Sequence, residues 1–186
     1  MQIKTVRCHK IDEDITTVTL DTVDLPPPSE NEVQVKLKAC AVNFTDILKI
    51  QGKYQRKPPL PFAPGGEAAG DITAVGRNVS AVNLGDKVIL SSDYGGFAEV
   101  RNVPASSVKP MPRSMDYAAA ASFQTAYMTA WVALTCRGHL QPGENLLVHG
   151  ATGGVGMAAV DLGKYLGANI IATGGRDDKL AVVRAR

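Results

Sequence analysis

Leu146-Leu147-Val148-His149-Gly150-Ala151-Thr152-Gly153-Gly154-Val155-Gly156 decides the reading of this chain. An apolar run of strand length feeds straight into a glycine-dense turn. Beyond it, Val155, Ala158, Ala159, Leu162 and Leu166 recur at helical spacing, and Gly167 closes the segment. Ile170-Ile171-Ala172-Thr173 then opens a second apolar run. Strand, glycine turn, helix and strand form a βαβ unit of the dinucleotide-binding kind. A helix N-terminus offers unpaired N–H groups and positive potential, and glycines let a phosphate approach the backbone closely. Ala151 holds the first-glycine place of G-x-G-x-x-G, with Gly153 and Gly156 in the later ones. The competing reading is a tight strand-to-helix turn that binds nothing.

Outward from this unit the chain is short. Its 186 residues allow one large domain or two small ones. Hydrophobic residues make up 45% and charged residues 20%, the balance of a globular protein with a sizeable core. Twenty basic residues oppose 18 acidic ones, giving +2 scattered without runs, so neither nucleic acid nor a membrane surface is implied as partner. Cys8, Cys40 and Cys136 are far apart and odd in number, which fits neither a disulfide framework nor a zinc ribbon and favours a reducing compartment, the cytoplasm by default. The N-terminus lacks the apolar core of a signal peptide, and no apolar run approaches the roughly 20 residues that span a bilayer.

Before residue 113 the texture is β. Val33 to Ala39 alternates strictly, Gly70 to Gly76 is a short strand bounded by glycines, Lys87 to Leu90 follows the Gly85-Asp86 turn, and Phe97 to Val100 follows Gly95-Gly96. Pro26-Pro27-Pro28 marks an extended connector. Such spacing predicts a small barrel-like β domain. Ser114 then reads as an N-cap, with Asp116 in the first turn of an alanine-rich helix from Ala118 to Leu134 that ends at Arg137-Gly138. Tyr127 and Trp131 read as core on that helix. The boundary falls in 110–116.

Four stretches in order carry a resemblance over nearly the whole chain: Ala41-Val42-Asn43-Phe44-Thr45-Asp46 with Gly52-Lys53-Tyr54; Pro64-Gly65-Gly66-Glu67-Ala68-Ala69-Gly70; Gly85-Asp86-Lys87-Val88; and the glycine turn. The chain resembles the medium-chain dehydrogenase/reductase superfamily, in its zinc-free quinone oxidoreductase-like branch. The resemblance implies a GroES-like β-barrel domain over residues 1–112, then a linker helix and the start of a Rossmann NADPH-binding domain over 113–186, an α/β plus β fold with substrate in the cleft between the two. It implies hydride delivery to a quinone or an α,β-unsaturated carbonyl, and a homodimer for the full-length protein.

Zinc-dependent relatives place ligands where this chain has Asn43 and Gly66, and His9, His139 and His149 offer no recognised ligand spacing, so no metal is expected. Hydride addition to a conjugated acceptor leaves negative charge on its oxygen, which a hydrogen-bond donor can stabilise. The resemblance assigns that role to Asn43 and Tyr54, which match the family's polar cleft positions and can both donate. A turn-capping Asn and a loop-packing Tyr are the alternatives, and Asp46 reads as an organiser of the same loop. Thr129 matches a family threonine near the nicotinamide, against a hydroxyl bonded back to its own helix. Gly150, Ala151, Thr152, Gly153, Gly154, Val155 and Gly156 would hold the pyrophosphate. In Thr173-Gly174-Gly175-Arg176 the acid that would bind a ribose 2′-hydroxyl is replaced by glycine; Gly175, Arg176 and Lys179 therefore point to the 2′-phosphate of NADPH, although Asp177 and Asp178 stand beside them, positioned to cap the next helix.

Leu180 to Arg186 reads as a helix interrupted in mid-course, and two strands stand where the fold has about six. The sequence therefore reads as the N-terminal part of a longer protein, weakly active or inactive alone, with apolar surface bared near Val160 and Ile170. Two further readings stay open: an enoyl-thioester reductase of fatty-acid or polyketide assembly, and a non-catalytic cofactor-binding relative.

Overall fold

The alternation at 33–39 becomes a strand because one set of side chains can be buried completely. In the computed structural model, which describes residues 1–186, Val33 and Val35 lie wholly inside on β3 (Glu32–Cys40) while Lys36 and Lys38 meet solvent or ion pairs. Ahead of it, β1 (Gln2–Arg7) and β2 (Thr19–Asp24) pair antiparallel as a separate ribbon. A short helix α1 (Phe44–Ile50) follows β3. Then come β4 (Glu67–Val75), β5 (Lys87–Ser91), β6 (Val100–Pro104) and β7 (Val108–Pro110), which join β3 in an antiparallel sheet of order β6-β3-β4-β5-β7.

That sheet must curl. Flat, five strands would hold β6 and β7 about 19 Å apart at ~4.8 Å per strand. Pro104 and Val108 are joined by one three-residue turn, Ala105–Ser107, and four residue steps reach at most about 14 Å. Val33, Val35, Ile72, Val88, Leu90, Val103 and Val108 accordingly meet in one apolar core drawn from all five strands.

Two strands differ from their sequence reading. β4 starts at Glu67, three residues before Gly70, because Gly70 is not a strand end but sits inside the ladder at an irregularity between Leu37 and Ala39. A Cβ there would lie 2.2 Å from the Lys36 carbonyl oxygen, so the backbones approach as only glycine allows. β6 begins at Val100 rather than Phe97, because Gly95, Gly96 and Phe97 donate their N–H groups to Ala63, Gly65 and Pro64 instead of a ladder.

The alanine-rich helix α2 (Tyr117–Trp131) is capped by Asp116, whose carboxylate accepts the Ala119 N–H at 2.7 Å, and not by Ser114. Ser114 lies in a turn closed by Met115 N–H on the Pro112 carbonyl. A π-helical turn (Val132–Arg137) continues α2 to Gly138. Contacts divide the chain into two compact units, Met1–Ser122 and Phe123–Arg186. The division falls inside α2, whose Ala120 and Ala121 pack with Ala69 and Ile89. Trp131 is exposed rather than core, and Tyr127 is half-buried, stacked on Phe123 with its hydroxyl donating to Asp161 at 2.5 Å.

In the second unit β8 (Asn145–Val148) and β9 (Asn169–Ala172) run parallel, joined by α3 (Gly154–Tyr165), and α4 (Asp177–Arg184) follows. Asp177 and Asp178 lie in the first turn of α4 but do not cap it; Arg176 occupies the N-cap position. The inward face of α3 is Ala158, Val160 and Gly163; Val155, expected on it, is exposed. Gly163 explains the rotation. A Cβ there would strike Ile170 and Leu146 side chains at 2.6 and 2.7 Å, so the helix lies closest to the strands at that residue. Nor is Val160 bared: it is buried with Val183 of α4, Val148 and Ala151. The uncovered apolar pair is Leu147 and Ile171, opposite one another in register on the strand face turned away from α3. No helix is long and apolar enough to cross a membrane.

Candidate functional site

The helix α1 is built inside out. A surface helix normally buries its apolar stripe; here Asp46, Lys49 and Ile50 face inward while Val42 and Phe44, on either side of Asn43, are 75% and 72% exposed. Asn43 stands at the N-cap, so its side chain projects from the start of the helix. Asp46, one turn later, returns its carboxylate to the Asn43 N–H at 2.9 Å and takes the Gly65 N–H at 3.1 Å with its other oxygen. One buried carboxylate thus ties the Asn43 turn to the Gly65 turn, the organising role read for it from sequence.

The Asn43 side chain is held as firmly. Its Nδ2 donates to Glu67 Oε1 at 3.0 Å, and Glu67 is 1% exposed at the first residue of β4. An amide NH₂ carries two hydrogens, so the bond to Glu67 leaves Asn43 one more to give. Around this pair lie further polar groups. Cys40 donates its S–H to the Glu67 carbonyl at 3.0 Å, and burial, then the negative charges of Asp46 and Glu67, push that thiol up to about 12 against the pull of Arg101. The Arg101 guanidinium donates to Ser92 Oγ at 2.6 Å, and its own burial lowers its pKa.

Tyr54 lies past the other end of α1, whose seven residues rise about 10 Å. Its N–H bonds the Leu48 carbonyl, and its half-buried ring faces Lys49 Nζ, 5.0 Å from the ring centroid. Lys49 is itself buried and donates to the Asp93 carbonyl. Glu67, Lys49 and Arg101 escape a sequence reading, because charged residues default to surface. The available signal was the i, i+3, i+6 spacing of Asn43, Asp46 and Lys49, which puts them on one helix face. No three His, Cys, Asp or Glu side chains group as a metal site would require.

In the second unit the glycine turn divides into structural and open positions. Gly150 adopts φ +66°. Gly156 is packed: a Cβ would lie 2.3 Å from the Gly150 carbonyl oxygen and 2.8 Å from the Ala151 Cα. A Cβ on Gly154 would meet nothing within 4 Å outside its own stretch of helix. Gly153, the N-cap of α3, has no side chain to cap the first-turn N–H groups of Gly154, Val155 and Gly156. Buried Ala151 is pinned by its N–H on the Thr173 carbonyl at 2.9 Å, and Thr152 borders Gly174. Uncapped donors, a helix dipole and open space at Gly154 fit an anionic phosphate diester.

The remaining sequence candidates are scattered around this unit. Thr129 donates its hydroxyl to the Thr125 carbonyl at 2.6 Å, the helical back-bond that competed with a ligand role. Arg176 forks onto Asp178 at 3.0 and 2.6 Å, and this lowers the Asp178 pKa. Gly175 and Lys179 are exposed, with open space around Gly175. At the strand ends His149 Nδ1 meets Thr173 Oγ1 at 2.9 Å.

Comparison with known proteins bears on both units. Residues 29–113 match the alcohol dehydrogenase GroES-like domain. The chain is 38% identical over 162 residues to the quinone oxidoreductase of Homo sapiens, covering 87% of the chain and 49% of that protein. The Escherichia coli quinone oxidoreductase complexed with NADPH superimposes with TM-score 0.89 at 31% identity, over 98% of the chain and 56% of the other. The enoyl reductase CurK superimposes with TM-score 0.87 at 29% identity, over 100% of the chain and 57% of its own. The chain spans about half the length of the curated relatives it matches.

Proposed function

Since the chain belongs to the quinone oxidoreductase-like branch of the medium-chain dehydrogenase/reductase superfamily, we propose that its protein reduces a quinone or an α,β-unsaturated carbonyl with NADPH and without a metal. Residues 1–112 handle the acceptor, and 113–186 begin a Rossmann domain for the cofactor. When bound, the reduced nicotinamide supplies a hydride to the conjugated carbon, and the acceptor's π electrons move onto its carbonyl oxygen. What the protein must add is a donor for that oxygen.

Asn43 carries the reading. Its backbone is gripped by Asp46, its amide by Glu67, and one N–H is left over. A donor fixed before the reaction begins pays no reorganisation cost during it. Tyr54 supplies a second hydroxyl donor. The exposed Val42 and Phe44 flanking Asn43 suit a flat apolar acceptor.

On the cofactor side, Gly150, Ala151, Thr152, Gly153, Gly154, Val155 and Gly156 would receive the pyrophosphate at the uncapped start of α3, Thr129 the nicotinamide, and Gly175, Arg176 and Lys179 the 2′-phosphate. The NADPH complex of the Escherichia coli relative supports this choice. A second reading, reduction of an enoyl thioester by the same hydride geometry, is favoured by the likeness to CurK.

The test is NADPH oxidation by the full-length protein across 1,4-naphthoquinone, short enones and crotonyl thioesters. Turnover with the first two, lowered about 10- to 100-fold by Asn43→Ala, is the expected result. Preference for the thioester would favour the second reading. Cofactor binding with no turnover on any acceptor would refute both.

A further inference from the structure

We propose that Glu67 is a positioning residue that fixes which end of the Asn43 amide meets the acceptor oxygen. The inference rests on the reading of Asn43 as that donor. An asparagine side chain has a donor end and an acceptor end of nearly the same shape, exchanged by a half-turn about its last torsion. Only the donor end stabilises a developing oxyanion; the other places an oxygen against an oxygen.

Three observations show how the ambiguity is removed. Asn43 cannot shift as a whole, since Asp46 holds its N–H at 2.9 Å and Asp46 is itself anchored on Gly65. Glu67 cannot shift either. It opens β4 in register with Ser91, and its carbonyl accepts both the Ala41 N–H at 3.2 Å and the Cys40 S–H at 3.0 Å. Between these fixed points the carboxylate sits 3.0 Å from Nδ2. An ionised carboxylate only accepts, so it admits one amide orientation, with Nδ2 toward it and the second N–H of the same nitrogen directed away.

Glu67 is 1% exposed, and burying a charge costs far more than burying a neutral amide. A glutamine of the same shape would keep an oxygen within reach of Nδ2. It would also present either an acceptor or a donor to Asn43, so that it no longer admits only one amide orientation. The one-way acceptor is what the charge supplies.

The experiment compares Glu67→Gln, Asn43→Ala and the double variant of the full-length protein with NADPH and 1,4-naphthoquinone. Glu67→Gln is expected to lower kcat about tenfold with KM within about twofold. Asn43→Ala is expected to lower kcat at least as far, with no further loss in the double variant, since the two act as a unit. Glu67→Asp keeps the charge but withdraws it from reach, and is expected to slow turnover as well. A second measurement needs no turnover: bound 4-nitrophenol ionises at lower pH in the presence of an oxyanion donor, and Glu67→Gln is expected to abolish that shift. Wild-type kcat in Glu67→Gln, or additive losses in the double variant, overturns the positioning role alone. Wild-type kcat in Asn43→Ala overturns the reading of Asn43 and this inference with it.

Discussion

Two glycines of the same turn are expected to respond to alanine in opposite ways. At Gly156 the new Cβ would lie 2.3 Å from the Gly150 carbonyl oxygen and 2.8 Å from the Ala151 Cα, both backbone atoms that no side-chain rotation can clear. Relief needs about 1 Å of separation between the turn and α3, an overpacking penalty of roughly 1–3 kcal/mol. Removing a helical glycine returns up to about 1 kcal/mol, which leaves a net loss on the order of 1–2 kcal/mol. At Gly154 an added Cβ would meet nothing within 4 Å beyond its own stretch of helix, and the backbone is ordinary helix. Alanine there reduces the freedom of the unfolded chain and stabilises by about 0.4–1 kcal/mol. The two midpoints should therefore separate by several degrees, given about 2–4 °C per kcal/mol for a domain of this size. Cofactor binding should not follow stability. Gly154→Ala puts a methyl into the space a phosphate would enter, and NADPH affinity should fall about tenfold in a protein that melts higher. Thermal scans with fluorescence titration of NADPH on both variants decide the matter. A Gly154→Ala protein that is less stable, or that binds NADPH as the wild type does, would refute the claim that this glycine serves a ligand and Gly156 the fold.

Three further outcomes follow from the same geometry. Cys40, with its thiol pushed from 9.0 to about 12, holds its proton more tightly folded than unfolded, so its contribution to stability is full below about 9 and is lost as pH rises through 12; Cys40→Ala should flatten the alkaline decline in urea unfolding, and iodoacetamide at pH 9 should label exposed Cys136 well before Cys40. Asp46→Asn leaves one carbonyl oxygen for two N–H groups, Asn43 and Gly65, and should cost about 1.5–3 kcal/mol by urea denaturation, a loss that an unchanged midpoint would contradict. Asp178→Asn releases Arg176 from its fork, and should tighten NADPH no more than about fivefold while leaving NADH alone, since the exposed pair is weak; an equal change for both dinucleotides would show that Arg176 does not meet the 2′-phosphate.

The second unit was legible because its information is local. Strand, turn, helix and strand occupy 145–172 without a gap, and each glycine's consequence is felt inside that one stretch: Gly156 against Gly150, Gly163 against Leu146 and Ile170. What escaped was the rotation of α3, since Val155 continues the apolar spacing as well as Val160 does. Only the close approach at Gly163 decides which face turns inward. The strands of the first unit were legible where alternation ran unbroken, as at 33–39. They were misjudged at Gly70, where a glycine read as a boundary is an interior contact point.

The Asn43 centre was legible only in outline, for a reason that bears on how it works. Its partners come from three places: Asp46 one turn along α1, Gly65 in the next loop, and Glu67 at the head of β4. No spacing rule links 43 to 67. The link exists because β3 and β4 pair, setting Cys40 opposite Ala68 and so bringing the loop that follows one strand beside the first residue of the other. The β ladder is therefore what aligns the amide with its carboxylate. A slip of one residue would turn Glu67 to the opposite face of the sheet and leave Asn43 ungoverned. The precision of a short, inverted helix end is thus set by the most regular part of the molecule, and the irregularity between Leu37 and Ala39, which Gly70 makes possible, fixes the register on which it depends.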